Sequence, residues 1–188
     1  MRWVWVLVVA GCSFEPGERA TDAPPPFDPA QDCPFNYDVA LTGQPSRYRL
    51  IAVERKMYEH ADDCADDLEG ATHLVAFNRA EVEAVSTFLN ARPEVNRLWL
   101  GGVQLRGQAS SRAGWFSIVG GLMADVWGGG EPNDANQPEN NEENFVGIDR
   151  NRSGLIDFPV TFTGGVLCEC DGQPVDLVAA AAIDAMRD

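Results

Sequence analysis

Residues 127–134, with the sequence WGGGEPND, are the most informative segment of this chain, and they open an unusually acidic stretch. From Glu131 to Asp149 six acidic side chains alternate with asparagines, and no Lys or Arg interrupts them. Such crowding raises electrostatic repulsion, which a bound cation with a preference for hard oxygen ligands relieves. Calcium fits best, because it accepts several carboxylate and amide oxygens in a flexible geometry and is supplied outside cells. On charge alone, a solvated acidic loop without metal is the competing interpretation.

The four cysteines that follow Asp32 favour a disulfide framework in an exported chain. Cys168 and Cys170 lie two residues apart in a predicted strand, so their side chains share one face and are expected to bond two different partners. The residues alone do not choose between the pairings. A zinc site built from Cys168, Cys170, His60 and Cys64 is the alternative, which oxidising conditions outside the cytoplasm disfavour.

Hydrophobic periodicity predicts two helices ahead of most strands. The first runs over residues 52–68 and carries Cys64 on its apolar face. The second begins at Asn78, where Glu81 makes a variant of the capping box, and ends before Pro93. Because Cys64 lies on the apolar face of the first helix, we expect its side chain to point into the domain.

The pattern then changes to strands at residues 98–103, 145–148 and 165–170, which together with the helices indicates the α+β class. The Gly-, Ser- and Asn-rich stretch between the first two strands is too long for a structureless loop unless a function orders it. Three tryptophans lie in apolar surroundings, Trp99, Trp115 and Trp127. We predict that they are core residues and do not stack on a sugar.

Motifs on both sides of the WGGGEPND segment occur in a recognisable order. They are Trp99-Leu-Gly-Gly, Gly114-Trp115-Phe116, Glu143-Asn144-Phe145-Val146, Leu155-Ile156-Asp157 and Val166-Leu167-Cys168-Glu169. With the Cys33-Pro34 start and Gly70-Ala71 after the first helix, this series resembles a C-type lectin-like domain from about Cys33 to Cys170. Its most specific element is Trp-x-x-Gly-Glu-Pro-Asn at residues 127–133.

The resemblance implies a double-looped fold, in which two helices flank small antiparallel sheets and a long loop region holds calcium at its edge. It also implies two disulfides, one between Cys64 and Cys168 and the other between Cys33 and Cys170.

The resemblance assigns the sugar-binding calcium to Glu131, Asn133, Glu143 and Asp157. These oxygens fill most of the shell of a six- to eight-coordinate ion and leave positions for two vicinal hydroxyls of a sugar. Pro132 is expected in the cis form, aiming both flanking side chains at the ion. The Glu-Pro-Asn order is similar to that of members that choose mannose, glucose, fucose or N-acetylglucosamine over galactose.

Two departures from the family pattern affect this site. Ile156 stands where an asparagine ligand is expected, and it cannot bind calcium, so the affinity should fall. The loop before Glu143 also looks longer than usual, so Glu139 or Glu142 is an alternative for the position given to Glu143.

Further calcium positions are weaker predictions. Asp134 and Asn144 match an accessory calcium position of some family members, with a solvated loop as the alternative. Residues 149–157 match the opening of an EF-hand loop, but Val160 occupies the place of the bidentate glutamate and two arginines inside the segment oppose a cation. We interpret that segment as a turn between strands.

The amino terminus has the layout of an export signal, with one positive charge followed by the apolar run WVWVLVVA. Residues 9–12, Val-Ala-Gly-Cys, resemble the lipobox of bacterial lipoproteins, in which the signal is cut before the cysteine. Cys12 would then carry the lipid anchor, whereas a plain cleaved signal is the alternative. Residues 12–31, acidic and rich in proline, are predicted to be a tether.

Charge and composition exclude several classes of function. The chain has 188 residues with 14 Lys and Arg against 29 Asp and Glu, a net charge of −15, which argues against nucleic acid as a partner. Every apolar run is shorter than the roughly 20 residues of a membrane-spanning helix. His60 and His73 are the only histidines and lie in no recognisable catalytic context, so no enzyme is predicted.

The predicted organisation is a signal peptide (1–11), a lipid-anchored tether (12–31), a C-type lectin-like domain (32–174) and a helical tail (175–188) that either docks on the domain or frays. We expect an exported bacterial lipoprotein at the cell surface or outer membrane, or else a secreted protein, that binds a glycan with calcium and without catalysis. The alternative is a calcium-independent lectin-like scaffold that binds protein or serves a structural role.

Overall fold

The computed structural model describes residues 26–75, 78–123, 126–134 and 139–187. The predicted signal segment, Cys12 and most of the predicted tether lie outside the described residues. Within the described ranges, no helix combines the length and apolar character that a bilayer crossing requires.

Four helices and seven strands make up the described part of the chain. In order they are α1 (Pro29–Asp32), β1 (Arg47–Arg55), α2 (Met57–Ala65), β2 (Thr72–Leu74), α3 (Arg79–Asn90), β3 (Arg97–Gln104), β4 (Trp115–Ser117), β5 (Phe145–Asp149), β6 (Ile156–Phe158), β7 (Gly164–Cys170) and α4 (Leu177–Asp184). The architecture confirms the predicted α+β class.

One mixed sheet organises these elements, with the strand order β1-β7-β3-β5-β6. The pair β3–β7 is parallel, and the other pairs are antiparallel. Strand β2 adds to β7, and β4 adds to β3. All seven residues of β7 are buried, which agrees with a strand covered on both faces.

Two hydrophobic clusters lie on the two faces of the sheet. Alternate residues of β3 supply both, because side chains along a strand point to opposite faces: Trp99 belongs to one cluster, and Leu98 and Leu100 belong to the other. Trp99 and Trp115 are buried, as the core prediction required, whereas Trp127 is half-buried against the second cluster. The Trp115 and Trp127 rings meet edge to face at 4.9 Å.

The prediction of a helix over residues 52–68 was wrong at its start. Residues 52–55 continue strand β1, which pairs with β7 from Arg47↔Cys170 to Arg55↔Gly164 with one irregularity. Helix α2 begins only at Met57, and Cys64 is buried on it as expected. Pairing with a buried central strand outweighs the weak helical periodicity of this short run.

The second predicted helix is confirmed as α3, and it ends before Pro93. Asn78 caps it, because its side chain accepts a hydrogen bond from the Glu81 amide at 3.1 Å. The expected reciprocal role of the Glu81 side chain was wrong: the Glu81 carboxylate accepts the Tyr48 hydroxyl at 2.8 Å, on the buried side of the helix.

The long stretch before residue 145 contains structure that the sequence did not predict. Strand β4 pairs with β3 through Gly102↔Ser117 and Gln104↔Trp115. Residues 150–155 turn the chain between β5 and β6. The segment with EF-hand character is therefore a turn between strands, as interpreted from the sequence.

Both predicted disulfides are present, Cys64–Cys168 with Cα atoms 5.3 Å apart and Cys33–Cys170 with Cα atoms 6.0 Å apart. The alternative of a zinc site on these cysteines was wrong. His60 instead lies between the carbonyls of Val53 and Gly164, at 3.1 and 2.9 Å.

The ends of the described chain pack against the domain. Helix α4 is capped by Asp176 and buries Ala179 and Ile183, so this segment docks and does not fray. Near the other end, the last part of the predicted tether is not extended. Asp28 caps α1, and the Phe27 ring packs on Gly172, where a Cβ added to the glycine would lie 2.5 Å from the ring.

Candidate functional site

The Gly-Glu-Pro-Asn segment is held against the turn before β6. Trp127 forms a parallel bridge with Leu155, and the Gly128 amide donates to the Leu155 carbonyl at 2.9 Å. Gly128 is required at this approach, because a Cβ would lie 2.7 Å from the Ser153 carbonyl oxygen. The peptide bond before Pro132 is cis, as the resemblance implies.

Asp157 on β6 is the centre of the site. Its carboxylate accepts hydrogen bonds from the Asn133 amide at 3.0 Å and from the Asp134 amide at 2.9 Å. The Asn133 side-chain amide in turn donates to Glu131 Oε2. The structure thus brings Glu131, Asn133 and Asp157 together from two segments that are distant in sequence.

Glu143 reaches this region through its backbone. Its amide donates to the Asp134 carboxylate at 3.3 Å, and the Asn140 amide donates to the same carboxylate at 2.6 Å. Among the described residues, the carboxylates of Glu131, Glu143 and Asp157 do not form a group with all ligand oxygens within 4.8 Å of one another. A role of Glu143 as a ligand therefore requires its side chain to move toward the other two carboxylates.

The other acidic and amide candidates have different surroundings. Glu139 accepts from the Gln104 side chain at 3.1 Å, and Glu142 donates its amide to Asn140. The Asn144 side-chain amide donates to the Asn141 carbonyl at 2.7 Å, while its buried Oδ1 has no hydrogen-bond partner among the described residues.

Two arginines contact Glu131. Arg152 donates to the Oε1 atom at 3.0 Å, although its side chain is 51% exposed whereas that of Glu131 is 5% exposed. Arg112 donates to the Glu131 carbonyl at 3.1 Å. A buried carboxylate thus has a half-exposed guanidinium as its partner.

Burial dominates the electrostatics of Asp157. It raises the pKa of this carboxyl to about 6, the hydrogen bond with Glu131 adds to the rise, and the backbone amides of Asp134 and Asn133 oppose it. Two carboxylates that share a desolvated corner favour the uptake of a proton or another cation.

Ile156, which precedes Asp157 on β6, is a core residue. It is buried in the same cluster as Trp99 and Phe158, on the opposite face of β6 from its neighbour Asp157. Ile156 therefore contributes to the core.

Comparison with solved structures gives a consistent fold. The C-type lectin CEL-I from Cucumaria echinata matches with a TM-score of 0.60 and 16% identity, over 76% of this chain and 99% of that chain. SPL-1 in complex with GlcNAc matches with a TM-score of 0.58 and 18% identity, over 75% and 96%. The C-type lectin domain of murine dendritic cell inhibitory receptor 2, in complex with N-glycan, matches with a TM-score of 0.53 and 21% identity, over 74% and 98%.

The fold is that of a C-type lectin-like domain. No family model and no curated protein sequence matches this chain. The sequence identity to the structural neighbours is low, so the likeness concerns the fold of this C-type lectin-like domain.

Sequence reasoning missed part of the site of this C-type lectin-like domain. The hydrogen bond from Arg112 to the Glu131 carbonyl had no signal, because Arg112 lies in the glycine- and serine-rich stretch far from the acidic motif. Arg152 was recognised only as an obstacle to a cation in its own turn, and its pairing with Glu131 depends on how the turn packs.

Proposed function

We propose that this domain recognises carbohydrate without catalysis, through a calcium ion held by Glu131, Asn133, Glu143 and Asp157. The observation that carries the proposal is the hydrogen bonding of the Asp157 carboxylate to the Asn133 and Asp134 amides, with Asn133 joined to Glu131. This convergence supports a single cluster of oxygen ligands.

The donor set fits calcium. Glu131 and Asp157 are both buried and supply hard carboxylate oxygens, and Asn133 adds an amide oxygen once its side chain is turned toward the ion. When bound, calcium supplies open coordination positions for two vicinal hydroxyls of a sugar. The side chains of Glu131 and Asn133 orient those hydroxyls by accepting and donating hydrogen bonds, and the amides of residues 133 and 134 keep Asp157 in place.

Arg152 and calcium compete for the Glu131 carboxylate. The exposed guanidinium neutralises the buried carboxylate, so calcium must replace it. The Arg152 guanidinium is 51% exposed, but the Glu131 carboxylate is 5% exposed, so the calcium ion that replaces the guanidinium must neutralise a buried charge. Calcium affinity is thus reduced by Arg152 as well as by Ile156.

The expected sugars belong to the mannose, glucose, fucose and N-acetylglucosamine class, on the basis of the Glu-Pro-Asn order. Two structural neighbours are complexes with sugar, SPL-1 with GlcNAc and the murine receptor domain with N-glycan, which supports a glycan partner by analogy. The export signal, the lipid on Cys12 and the tether would present this domain outside the cell.

A second candidate is a calcium-independent lectin-like scaffold for protein binding or a structural role. It is favoured by one observation: Arg152 already supplies a positive charge to Glu131, while Ile156 removes one ligand. In that case the acidic loop needs no ion.

Retention on mannose-agarose separates the two functions. Wild-type protein should be retained in calcium and released by EDTA, and Asp157→Asn should not be retained. Asp38→Asn, which alters an exposed carboxylate outside the site, is the matched control and should behave as wild type. Equal behaviour of wild type with calcium and with EDTA would leave the scaffold as the function.

A further inference from the structure

A second polar site lies in a cavity that shares no residue with the proposed calcium site. The cavity has a volume of about 590 Å³ and is lined by the end of β7, the start of α3 and the loop after β4. Glu81, Glu169 and Asp171 are among its lining residues, and no Lys or Arg is among the described residues that line it.

The strand register brings three side chains that could hold a metal ion together beside this cavity, and two of them, Glu169 and Asp171, line it. His73 on β2 is paired directly with Glu169 on β7, so the two side chains stand on the same face of the sheet. Asp171 follows Glu169 by two residues and points the same way. One ligand atom of each of His73, Glu169 and Asp171 lies within 4.8 Å of the others. His73 and Glu169 are buried, and the Asp171 side chain is 11% exposed.

The hydrogen bonds of His73 fix its orientation. Its Nδ1 lies 2.6 Å from the Leu74 carbonyl oxygen, an acceptor, so Nδ1 carries a proton. The other ring nitrogen, Nε2, lies 3.0 Å from Asp171 Oδ1. A lone pair on Nε2 and a carboxylate oxygen repel each other at this distance, so a cation must lie between them, either a proton or a metal ion.

The rest of the cluster increases the need for positive charge. Glu81 and Glu169 share a hydrogen bond, and the Tyr48 hydroxyl donates to Glu81 at 2.8 Å. Three carboxyl groups therefore face one imidazole in a largely desolvated region, where protons must neutralise the metal-free cluster, one of them in the hydrogen bond between Glu81 and Glu169. A divalent ion can take the place of these protons.

The ligand set indicates which metal. One imidazole nitrogen with two carboxylate oxygens suits zinc and its first-row neighbours, whereas calcium prefers oxygen ligands alone. The outer contacts are also in place: Leu74 orients the ring, and the Gln173 amide donates to Asp171 at 2.8 Å. At zinc distances, tetrahedral ligand atoms are about 3.4 Å apart, so the observed spacing needs little change.

We propose that His73, Glu169 and Asp171 form a binding site for zinc or a similar first-row divalent metal, with a fourth coordination position facing the cavity. This site is independent of the proposed calcium site and differs from the rejected cysteine-based zinc site. The open position takes water or a small ligand with a nitrogen or oxygen donor.

Titration of the metal-stripped full chain with zinc, followed by calorimetry, tests the proposal. We expect one zinc ion per chain, an affinity reduced at least about tenfold by Asp171→Asn and by His73→Gln, and no competition from equimolar calcium. His60→Gln is the matched control, because His60 is the only other histidine, is equally buried and lies outside the cluster, between the Val53 and Gly164 carbonyls with Asp63 3.8 Å from its Nδ1. Zinc binding that is unchanged in Asp171→Asn, or that calcium displaces, would overturn the proposal.

If a histidine variant fails to fold, the nitrogen chemical shifts of the imidazole rings in wild-type protein test the same site by nuclear magnetic resonance. In wild-type protein only two imidazoles contribute, and zinc should shift Nε2 of one and leave the other unchanged. A shift of neither ring, or of both equally, would contradict the site. Asp157→Asn should keep zinc binding while losing calcium binding, so failure of either proposal is recognised separately.

Discussion

Arg152 Nη2 lies 3.0 Å from Glu131 Oε1, so an exposed guanidinium neutralises a buried carboxylate at the proposed calcium site. The relationship makes Arg152 a competitor of calcium. It also explains how the loop holds a buried glutamate when metal is lacking.

Replacing Arg152 by glutamine should strengthen calcium binding. Removing this competing positive charge should lower the Kd for calcium by roughly two- to tenfold, because the ion no longer has to displace a guanidinium from the buried Glu131 carboxylate. Calcium titration of Arg152→Gln measures this change. Arg150→Gln is the matched control, because Arg150 lies in the same turn but bonds Asn96. Weaker calcium binding in Arg152→Gln would show that the guanidinium supports the site.

Exchanging the pair that flanks Pro132 should change the sugar preference. In the double variant Glu131→Gln/Asn133→Asp the carboxylate and the amide trade places, so the hydrogen bonds offered to the sugar hydroxyls are reversed. We expect at least about tenfold weaker retention on mannose-agarose and a gain on galactose-agarose, both dependent on calcium. Unchanged retention on mannose would disconnect this pair from sugar recognition.

The Cys64–Cys168 disulfide should be a major source of stability. It closes a loop of 104 residues, and removing a native disulfide from a small exported domain costs about 2–5 kcal/mol. Denaturant unfolding of Cys64→Ser/Cys168→Ser measures the loss. In the unprocessed wild-type chain, thiol labelling under denaturing conditions should modify Cys12 alone, and two or more reactive thiols would contradict the two disulfides.

The stability of the metal-free protein should fall as pH rises from about 5 to about 8. Burial, followed by the charge of Glu81, raises the pKa of Glu169 to about 8, so the folded state keeps a proton that the unfolded state releases. His73 acts in the same direction. Burial opposes its charge, but the hydrogen bond to Asp171 and the charge of Glu169 outweigh that effect and raise its pKa, and its stabilisation is lost at higher pH.

Denaturant unfolding in EDTA at both ends of this range measures the effect, on the order of 1–3 kcal/mol. Asp171 does not contribute, because its pKa is lowered and its stabilisation is lost only under acidic conditions. Glu169→Gln should flatten the profile, whereas Glu94→Gln, an exposed carboxylate outside the cluster, should not. An unchanged profile in Glu169→Gln would contradict the cluster electrostatics.

Much of the fold could be predicted from short-range signals. Asn78 predicted the start of α3, and the spacing of Cys168 and Cys170 predicted that the two cysteines bond different partners. The strand at residues 52–55 could not be predicted, because its pairing with β7 is a contact more than a hundred residues apart in sequence. The hydrophobic periodicity of residues 52–55 therefore predicted a helix where the structure has a strand.

The candidate site divides in the same way. Its acidic and amide residues follow from motifs, while the pairing of Arg152 with Glu131 and the meeting of His73 with Glu169 depend on turn packing and strand register. A single histidine in a short strand carries no signal of the carboxylates that the register places beside it. Such relationships require coordinates.

Calorimetric titration of the metal-stripped protein with calcium tests the central claim most directly. The account predicts saturable binding of one calcium ion at the oxygens gathered around Asp157, abolished by Asp157→Asn and preserved in Asp38→Asn. The absence of heat in wild-type protein, or equal binding by Asp157→Asn, would contradict it.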